Sequence, residues 1–367
     1  MVCWTITSLL TPHLCKVFCK METINCKSWN EVKLHQGAWM KLQDQSEVSI
    51  FSTYQFLECY WHNFEKFNHP KFGKKKELNV LFFYKQSELI GVLPLVKVTR
   101  LRKKVIPIKY LELLGQPFFT SYLDIISKNT VDLNWSDIRQ FITDNIDFHV
   151  MNFHLINLGS SLYQFIGSEN LTEYSVSPMI VTKGFGDFEE YRKNGMSKNF
   201  QKILSNSANR IQKTGKSHHF QWEDYNSSSH FSWINKISES KKIDGKYNVF
   251  DYSEMRQFIE GVFKIFNAKI CTLYLDNIPI AYQVYLYYRN QCMWFDLSFD
   301  RAYRDLRPGI LIYEEGLKYN FGLVNILGYG QDQNKTGMAN VLTPVFLFRT
   351  SGNACCAQWI LKMLDQK

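Results

Sequence analysis

An arginine-rich turn with one glycine is the part of this sequence that most directly suggests chemistry. The segment Trp294–Ile312 (WFDLSFDRAYRDLRPGILI) has the pattern of a strand end, a basic loop and a helix start. Free backbone N–H groups and the positive end of the helix dipole make such a start a good phosphate site. Arg304 and Arg307 would add charge-assisted bonds to a pyrophosphate, and Gly309 would let the backbone approach it closely. Taken alone, these residues also fit an ordinary turn, because Pro-Gly is common at helix starts.

Other catalytic patterns are missing from the sequence. No G-x-S-x-G, Walker A or intact G-x-G-x-x-G motif occurs, and these are the usual marks of a hydrolase elbow, a P-loop and a dinucleotide fold. The adjacent His218 and His219 cannot share one helical metal face. The nine cysteines form no C-x-x-C pair, so we expect reduced thiols, no metal and a cytoplasmic protein.

The charge balance favours an anionic partner. The net charge is +9, and basic residues cluster at Lys71–Lys76, at Arg100–Lys104 and between Lys198 and Lys216. A phosphate-bearing cofactor, a nucleic acid or an anionic membrane surface would match this charge. The alternative is a basic surface that is only solvated and binds no partner. Because no run of about 18 apolar residues occurs, we expect no stable membrane insertion.

The length predicts two domains. A chain of 367 residues exceeds the roughly 250–300 residues that one core organises. Residues 1–20 are expected to be a disordered extension, with Met21 as an alternative start. We predict an N-terminal domain over 21–180, a C-terminal domain over 181–350 and a tail helix over 351–367.

Strand and helix signals place the basic turn in the second half. Ile270–Leu275, Ile278–Tyr288 and Cys292–Phe299 predict three strands, and Gly309–Phe321 predicts the helix after the turn. Ser197–Gly215 predicts an amphipathic helix with a basic outer face, closed by its terminal glycine. In the first half, we predict helices over Thr53–Phe67 and Asn134–Asp144, and strands over Leu78–Tyr84, Leu89–Val98, Tyr110–Leu114, Tyr122–Ile126 and Phe153–Leu158.

The two halves share a plan. Leu78–Val98 and Ile270–Tyr288 each have the pattern of a strand, a short polar turn, an Ile followed by a small residue, and a second strand. Duplication of one fold explains this repeat. The general recurrence of hairpin turn chemistry explains it as well.

Short elements in a fixed order resemble the GNAT acyltransferase superfamily. The turn Arg304–Gly309 is similar to the acyl-CoA pyrophosphate loop Arg/Gln-x-x-Gly-x-Gly/Ala. From about residue 50 to 340 the chain is similar to the BioF-like or cellulose-biosynthesis branch, distantly related to Fem-type aminoacyl transferases of peptidoglycan synthesis. The chain departs from that pattern at Asn334, where Tyr is common, and at Asn325-Ile326, where an acidic residue is usual. The elements that match are Phe51–Trp61, Ile90–Leu95, Leu114-Gly115 with Asp124, Ser197–Gly215, Asp276–Ala281, Phe299-Asp300, Arg307–Gly309, and Gly330 with Lys335.

The resemblance implies an α/β (α+β) fold of tandem GNAT-like domains, each with a mixed, mostly antiparallel sheet flanked by helices. It also implies acyl-CoA, such as acetyl-CoA, as co-substrate, and no metal. The residues expected to contact this co-substrate are Arg304, Leu306, Arg307, Pro308, Gly309 and Ile310.

Acyl transfer requires an amine or hydroxyl that loses its proton while attacking a thioester. A carboxylate or a water chain can accept that proton, and a tyrosine can protonate the thiolate. Each candidate for these roles also fits a capping, core or solvated residue. The candidates are Asp296, Asp300 and Asp332 as carboxylates, Tyr329 and Tyr303 as acids, and Lys335 and Tyr303 as acceptor contacts.

Three functions follow from these expectations. The first is transfer of an acyl group from acyl-CoA to an amine or hydroxyl of a small-molecule or carbohydrate acceptor. The second is Fem-like transfer from aminoacyl-tRNA, with RNA phosphates on the basic helix between Lys198 and Lys216. The third is a non-catalytic binding protein on a degenerate GNAT scaffold.

Overall fold

Strands and helices alternate through both halves of the chain. The computed structural model describes residues 21–70, 72–116, 122–323, 326–328 and 336–365. The strands are β1 (Glu22–Cys26), β2 (Lys75–Lys85), β3 (Glu88–Arg102), β4 (Ile106–Leu113), β5 (Ile126–Ser127), β6 (Val150–Asn157), β7 (Thr172–Val181), β8 (His218–Asp224), β9 (Lys269–Leu275), β10 (Ile278–Tyr288), β11 (Gln291–Phe299), β12 (Ile326–Gly328) and β13 (Val341–Ser351). The α-helices are α1 (Trp29–Leu34), α2 (Gln36–Gln45), α3 (Tyr54–Phe64), α4 (Trp135–Asn145), α5 (Ser161–Ile166), α6 (Phe188–Asn194), α7 (Lys198–Gln212), α8 (Ser227–Glu239), α9 (Ser253–Ile265), α10 (Pro308–Asn320) and α11 (Ala357–Asp365).

One continuous sheet repeats the same plan twice. Its order over the described residues is β1-β2-β3-β4-β6-β13-β7-β12-β11-β10-β9-β8, and β5 pairs separately with β3. In each half, four antiparallel strands lead to a fifth that pairs parallel to the fourth, which is β6 beside β4 and β12 beside β11. The tandem, mixed and mostly antiparallel architecture expected from the resemblance is therefore confirmed.

The last strand of each half crosses to the other half. β7 follows β6 in the chain but pairs with β12, whereas β13 follows β12 but pairs with β6. The two exchanged strands also pair with each other, with Val341 opposite Met179 and Val345 opposite Ser175. The boundary at residues 180 and 181 stays a prediction. β7 ends there, and although it belongs to the first half of the chain, it pairs with β12 and β13 of the second half.

Helices on both sheet faces complete the core and join the halves. α3 buries Tyr54, Leu57, Trp61 and Phe64 at helical spacing. Its aromatic face meets α9 of the second half, where Phe258 lies 5.0 Å from Phe64 between ring centroids. A second cluster places α6, α7 and α10 on the other face of β9, β10 and β11.

Several element predictions need correction. The predicted strand Tyr122–Ile126 is wrong, because only Ile126 and Ser127 pair, and Tyr122 has a left-handed φ of 66°. The helix Ser197–Gly215 ends earlier, at Gln212 with Lys213 as its C-cap, and Gly215 (φ 68°) lies in the next turn. The sequence patterns also did not predict β1, β7 or β13.

Two expectations concern the chain ends and membranes. Residues 1–20, predicted as a disordered extension, lie outside the described part of the chain. Within the described ranges, no helix is both long and apolar enough to cross a bilayer.

Candidate functional site

The basic turn enters α10 through a left-handed residue. After β11, residues Arg301–Leu306 form a 3-10 helix, and Asp300 caps it by accepting a hydrogen bond from Ala302 N at 3.0 Å. Arg307 then adopts φ 53°, ψ 51° and is the N-cap of α10, but no side chain caps the first amides of this helix. Asp300 therefore has a capping role in the structure, and the start of α10 can accept an external hydrogen-bond acceptor.

Several other helix starts are capped by side chains, although those of α2 and α9 are not. The Asn134 side chain accepts hydrogen bonds from Ser136 N and Asp137 N at the start of α4. Ser197 does the same for Phe200 N at the start of α7. Because these side chains satisfy free amides, the uncapped start of α10 is a better anion site than the starts of α4 and α7.

The two predicted arginines have different surroundings. Arg304 donates to Asp244 at 2.8 Å, and Arg301 donates to the other oxygen of the same carboxylate at 2.6 Å. These guanidinium groups hold the pKa of Asp244 below its usual range. Arg307 is exposed and forms no ion pair with the residues that the structure describes. Of the two, Arg307 is the one whose charge remains available to a ligand.

The remaining predicted contact residues of this turn face the interior. Pro308 and Gly309 are buried. A Cβ on Gly309 would lie 3.4 Å from Phe299 Cδ1, which is an ordinary van der Waals contact, so the packing of α10 on β11 does not itself require glycine here. Its role in approaching a cofactor stays a prediction. Other predicted residues are partly buried in the cluster beneath α10, namely Tyr303, Leu306 and Ile310.

β11 extends beyond its described pairing with β12. The described residues pair in parallel where Gln291, Cys292 and Met293 face Ile326, Leu327 and Gly328, and β11 continues to Phe299. The pairing of β11 with β10 shifts register between Val284 and Tyr285, which is a β-bulge just past the described β11–β12 pairs. The second half of β11 leads directly into the basic turn and the start of α10.

The predicted carboxylate Asp296 lies on the opposite sheet face from α10. Leu297 and Phe299 face Gly309, and successive strand residues point to opposite faces. Asp296 accepts a hydrogen bond of 2.8 Å from the buried Tyr282 hydroxyl, whose ring packs near Trp233 of α8. The other predicted site residues, Tyr329, Asp332 and Lys335, lie outside the described residues.

A cavity of about 370 Å³ lies where the two halves meet. Met179 of β7, Thr343 of β13 and Met293 of β11 line it, together with the first-half residues Asp124 and Asn157. It therefore reaches β11 at Met293, which is the last residue of β11 in the described pairing with β12. The Asn157 Oδ1 atom is buried and has no hydrogen-bond partner among the described residues, so this wall can accept a polar ligand.

Asp124 is a carboxyl at this cavity whose pKa is shifted. Burial raises the pKa of its carboxyl to about 7, although backbone N–H groups of Leu162, Ser161 and Ile125 oppose the rise. These amides donate at 2.6, 3.0 and 2.9 Å and bind the carboxylate to the start of α5. A carboxyl that titrates near neutral pH can act as a general base.

Sequence reasoning named Asp124 only as part of a family resemblance and not as a site residue. Its neighbours in sequence, Tyr122 and Leu123, give no catalytic motif. The missing signal is burial, which depends on strands from both halves.

Comparisons with known proteins agree with this architecture. Residues 199–321 match the model of the acetyltransferase (GNAT) domain, which covers the basic turn and α10. The solved structure of FemX is similar over 94% of this chain and 100% of its own, with 9% identity and a TM-score of 0.58. The GNAT domain expected from the resemblance is thus confirmed for residues 199–321, and the likeness to FemX is one of fold.

Two other solved structures are similar at lower scores. A tandem GNAT protein from the clavulanic acid biosynthesis pathway is 10% identical, over 90% of this chain and 98% of its own, with a TM-score of 0.47. L-PGS from Bacillus licheniformis is 11% identical, over 85% and 96%, with a TM-score of 0.47. No curated protein matches the chain by sequence.

Proposed function

We propose that this chain, which carries a GNAT domain within a tandem GNAT-like fold, transfers an acyl group from acyl-CoA to an amine or hydroxyl of a small-molecule or carbohydrate acceptor. One observation carries the proposal. Inside the matched segment, the basic turn leads into a helix start that no side chain caps, with the exposed guanidinium of Arg307 at its N-cap. This combination of a helix N-terminus and an exposed positive charge fits the diphosphate of a thioester cofactor.

The residues at the turn fit the diphosphate of acyl-CoA. The dipole of α10 and the Gly309 amide, which no side chain caps, attract anions. Arg307 adds an exposed positive charge. Arg304 holds the turn to Asp244, so we assign it mainly to positioning. Acyl-CoA supplies the activated acyl carbon, and we place its acyl end along β11, toward the seam between the halves.

The seam cavity is the proposed acceptor site. Its volume of about 370 Å³ is in the usual range for small-molecule pockets, about 300–1,000 Å³. As the acceptor nitrogen or oxygen bonds to the acyl carbon and the carbon–sulfur bond breaks, Asp124 takes the proton of the nucleophile. Asp296, which lies on β11, is the alternative proton acceptor.

A second candidate, transfer from aminoacyl-tRNA, is supported by the outer face of α7. Lys198, Lys202, Arg210 and Lys213 are exposed there. Arg210 also donates to the Asp305 carbonyl at 2.7 Å, which places this basic face against the turn that leads into α10. RNA phosphates could bind along it, and such binding would weaken steeply with salt.

Titration with CoA tests the proposal. CoA should raise the Tm of the wild-type chain saturably. Arg307→Ala should weaken CoA binding about 10- to 100-fold, because a hydrogen bond to a charged group contributes roughly 1.5–3 kcal/mol. Arg304→Ala should weaken it less, because that guanidinium is already bound to Asp244. Isothermal titration calorimetry measures each affinity.

Arg139→Ala is the matched control, since Arg139 is exposed on α4 in the other half. Equal CoA affinity in the folded Arg307 variant and this control would contradict the proposed cofactor site. Stabilisation by charged tRNA alone would support the second candidate. If neither ligand binds, the chain is a binding protein on a GNAT scaffold.

A further inference from the structure

Two basic runs of the first half, far apart in sequence, meet at one end of the sheet. Lys75 of β2 lies opposite Thr99 of β3, and Lys74 N donates to the Thr99 carbonyl at 2.9 Å. β3 then turns into β4 through Lys103 and Lys104. The exposed residues here form what we call the hairpin-tip surface, made of Lys74, Lys75, Leu101, Lys103, Lys104 and Val105.

The turn at this tip holds two lysines in an unfavourable conformation. Lys103 and Lys104 have φ of 49° and 66°, and Val105 N donates to the Arg102 carbonyl at 3.2 Å. Two consecutive residues with positive φ in such a turn favour Asn-Gly or Asp-Gly, because side chains resist positive φ. Two lysines at this turn reduce stability, which points to a use for their charge.

The charge of this surface is only partly neutralised internally. Lys75 lies 3.0 Å from Glu77, and the neighbouring Arg100 is bound to Glu112 at 2.6 Å. Lys74, Lys103 and Lys104, by contrast, form no ion pair with any residue that the structure describes. An anion outside the protein is the available partner.

Exposed aliphatic side chains lie among these lysines. Val105 is 73% exposed and Leu101 36% exposed. A cavity of about 340 Å³ beside them is lined by Lys74, Lys104 and Leu101, with Pro70 on its wall. Lysines around aliphatic side chains at a protruding tip match the boundary between headgroups and acyl chains of a bilayer.

We propose that the hairpin-tip surface docks on an anionic lipid bilayer, with a lipid phosphate in the cavity between Lys74 and Lys104 and with Val105 and Leu101 at the acyl boundary. A nucleic acid is the weaker match, because single-stranded nucleic acids usually stack on aromatic rings, whereas the exposed apolar residues of this surface are aliphatic. This surface is separate from the transferase site and does not depend on the proposed function.

A substitution that favours the turn while removing the charge tests the proposal. Lys103→Asn with Lys104→Gly places at this turn two residues that adopt positive φ readily, so the Tm should rise. Cosedimentation with vesicles of phosphatidylglycerol and phosphatidylcholine should fall about 25-fold, since each basic residue at an anionic surface contributes about fivefold. Val105→Asp should also weaken cosedimentation. Vesicles of phosphatidylcholine alone should not bind the wild-type chain.

Two control variants separate charge from turn stability. Gln86→Asn with Ser87→Gly changes the β2–β3 turn, whose residues have φ of 51° and 64°, without removing a lysine. Lys183→Gln with Lys246→Gln removes two exposed lysines elsewhere. Both controls should keep wild-type vesicle binding. The proposal is wrong if the tip variant binds vesicles like the wild type, if either control loses as much binding, or if only RNA binds.

Discussion

At the scale of residues, environment separates side chains that look alike in sequence. Asp124, Asp296 and Asp300 are all carboxylates near turns or strand ends. Asp300 caps a 3-10 helix, Asp296 accepts the hydroxyl of Tyr282, and Asp124 lines the seam cavity. Burial raises the pKa of Asp124 to about 7. This difference depends on the fold and leaves no local trace.

Asp124→Asn is expected to change both activity and the pH dependence of stability. The folded pKa of the carboxyl, about 7, exceeds its ordinary 3.8. Between pH 4 and 7 this carboxyl is therefore largely ionised in the unfolded chain and largely protonated in the folded chain. The free energy of unfolding of the wild type falls as pH rises, by about 1.4 kcal/mol per unit of difference between the two pKa values. The asparagine variant should lack this loss in denaturant unfolding.

Acyl transfer by the same variant should fall about 10²- to 10⁴-fold, the usual contribution of a general base. Wild-type activity should decline on the acidic side of pH 7, and this decline should be absent from the residual activity of the variant. A variant that keeps full activity with the wild-type pH profile would remove Asp124 from the mechanism and leave Asp296 as the candidate.

At the scale of elements, α10 is held against the sheet by a close contact. A Cβ on Gly316 would meet the Tyr285 hydroxyl and lie 2.8 Å from Tyr285 Cζ. Tyr285 is fully buried, and its hydroxyl has no hydrogen-bond partner among the described residues. The glycine therefore allows the helix that begins at Pro308 to approach β10 closely. This contact sets the distance between α10 and the sheet.

Gly316→Ala should destabilise the chain by about 1–3 kcal/mol, the usual effect of overpacking a core. Tyr285→Phe should be neutral or stabilising, because it removes an unsatisfied buried hydroxyl. In a chain that carries Tyr285→Phe, Gly316→Ala should lower the free energy of unfolding by less than it does in the wild type. A double-mutant cycle, measured by denaturant unfolding, gives this coupling. Strict additivity would show that the hydroxyl does not limit the helix position.

At the scale of the whole molecule, strand exchange makes the two halves interdependent. β13 lies between β6 and β7, so it supplies hydrogen bonds to both halves at once. Removing it would expose two long unpaired edges, which promote aggregation. The seam cavity also includes Thr343 of this strand, so the proposed acceptor site exists only in the assembled tandem.

A chain that ends at residue 340 should fail to fold as a soluble monomer, because it lacks β13. A chain that ends at residue 352 is the control, because it keeps β13 and lacks only α11. The control should remain folded with a lower Tm, since Ile360 packs on Ile108 and Val150. Size-exclusion chromatography and circular dichroism distinguish the two. A soluble, cooperatively unfolding 340-residue chain would contradict the coupling.

Local sequence patterns predicted the main hairpins of each half, the helices α3, α4, α7 and α10, and the basic turn before α10. Periodicity and turn chemistry act over about 15 residues, so Ile270–Phe299 and Pro308–Asn320 could be recognised locally. Motif order added the GNAT resemblance. Of the missed strands β1, β7 and β13, the last two carry little alternation that a local pattern could detect.

Only the tertiary structure decided which strands cross between the halves, which arginine remains available and which carboxylate is buried. Arg304 and Arg307 are equivalent in the sequence pattern, but Asp244 binds one of them from about 60 residues away. Asp124 acquires its shifted pKa from walls that include β7, β11 and β13. These properties depend on contacts between distant residues, and their energies are set by burial and pairing rather than by local sequence.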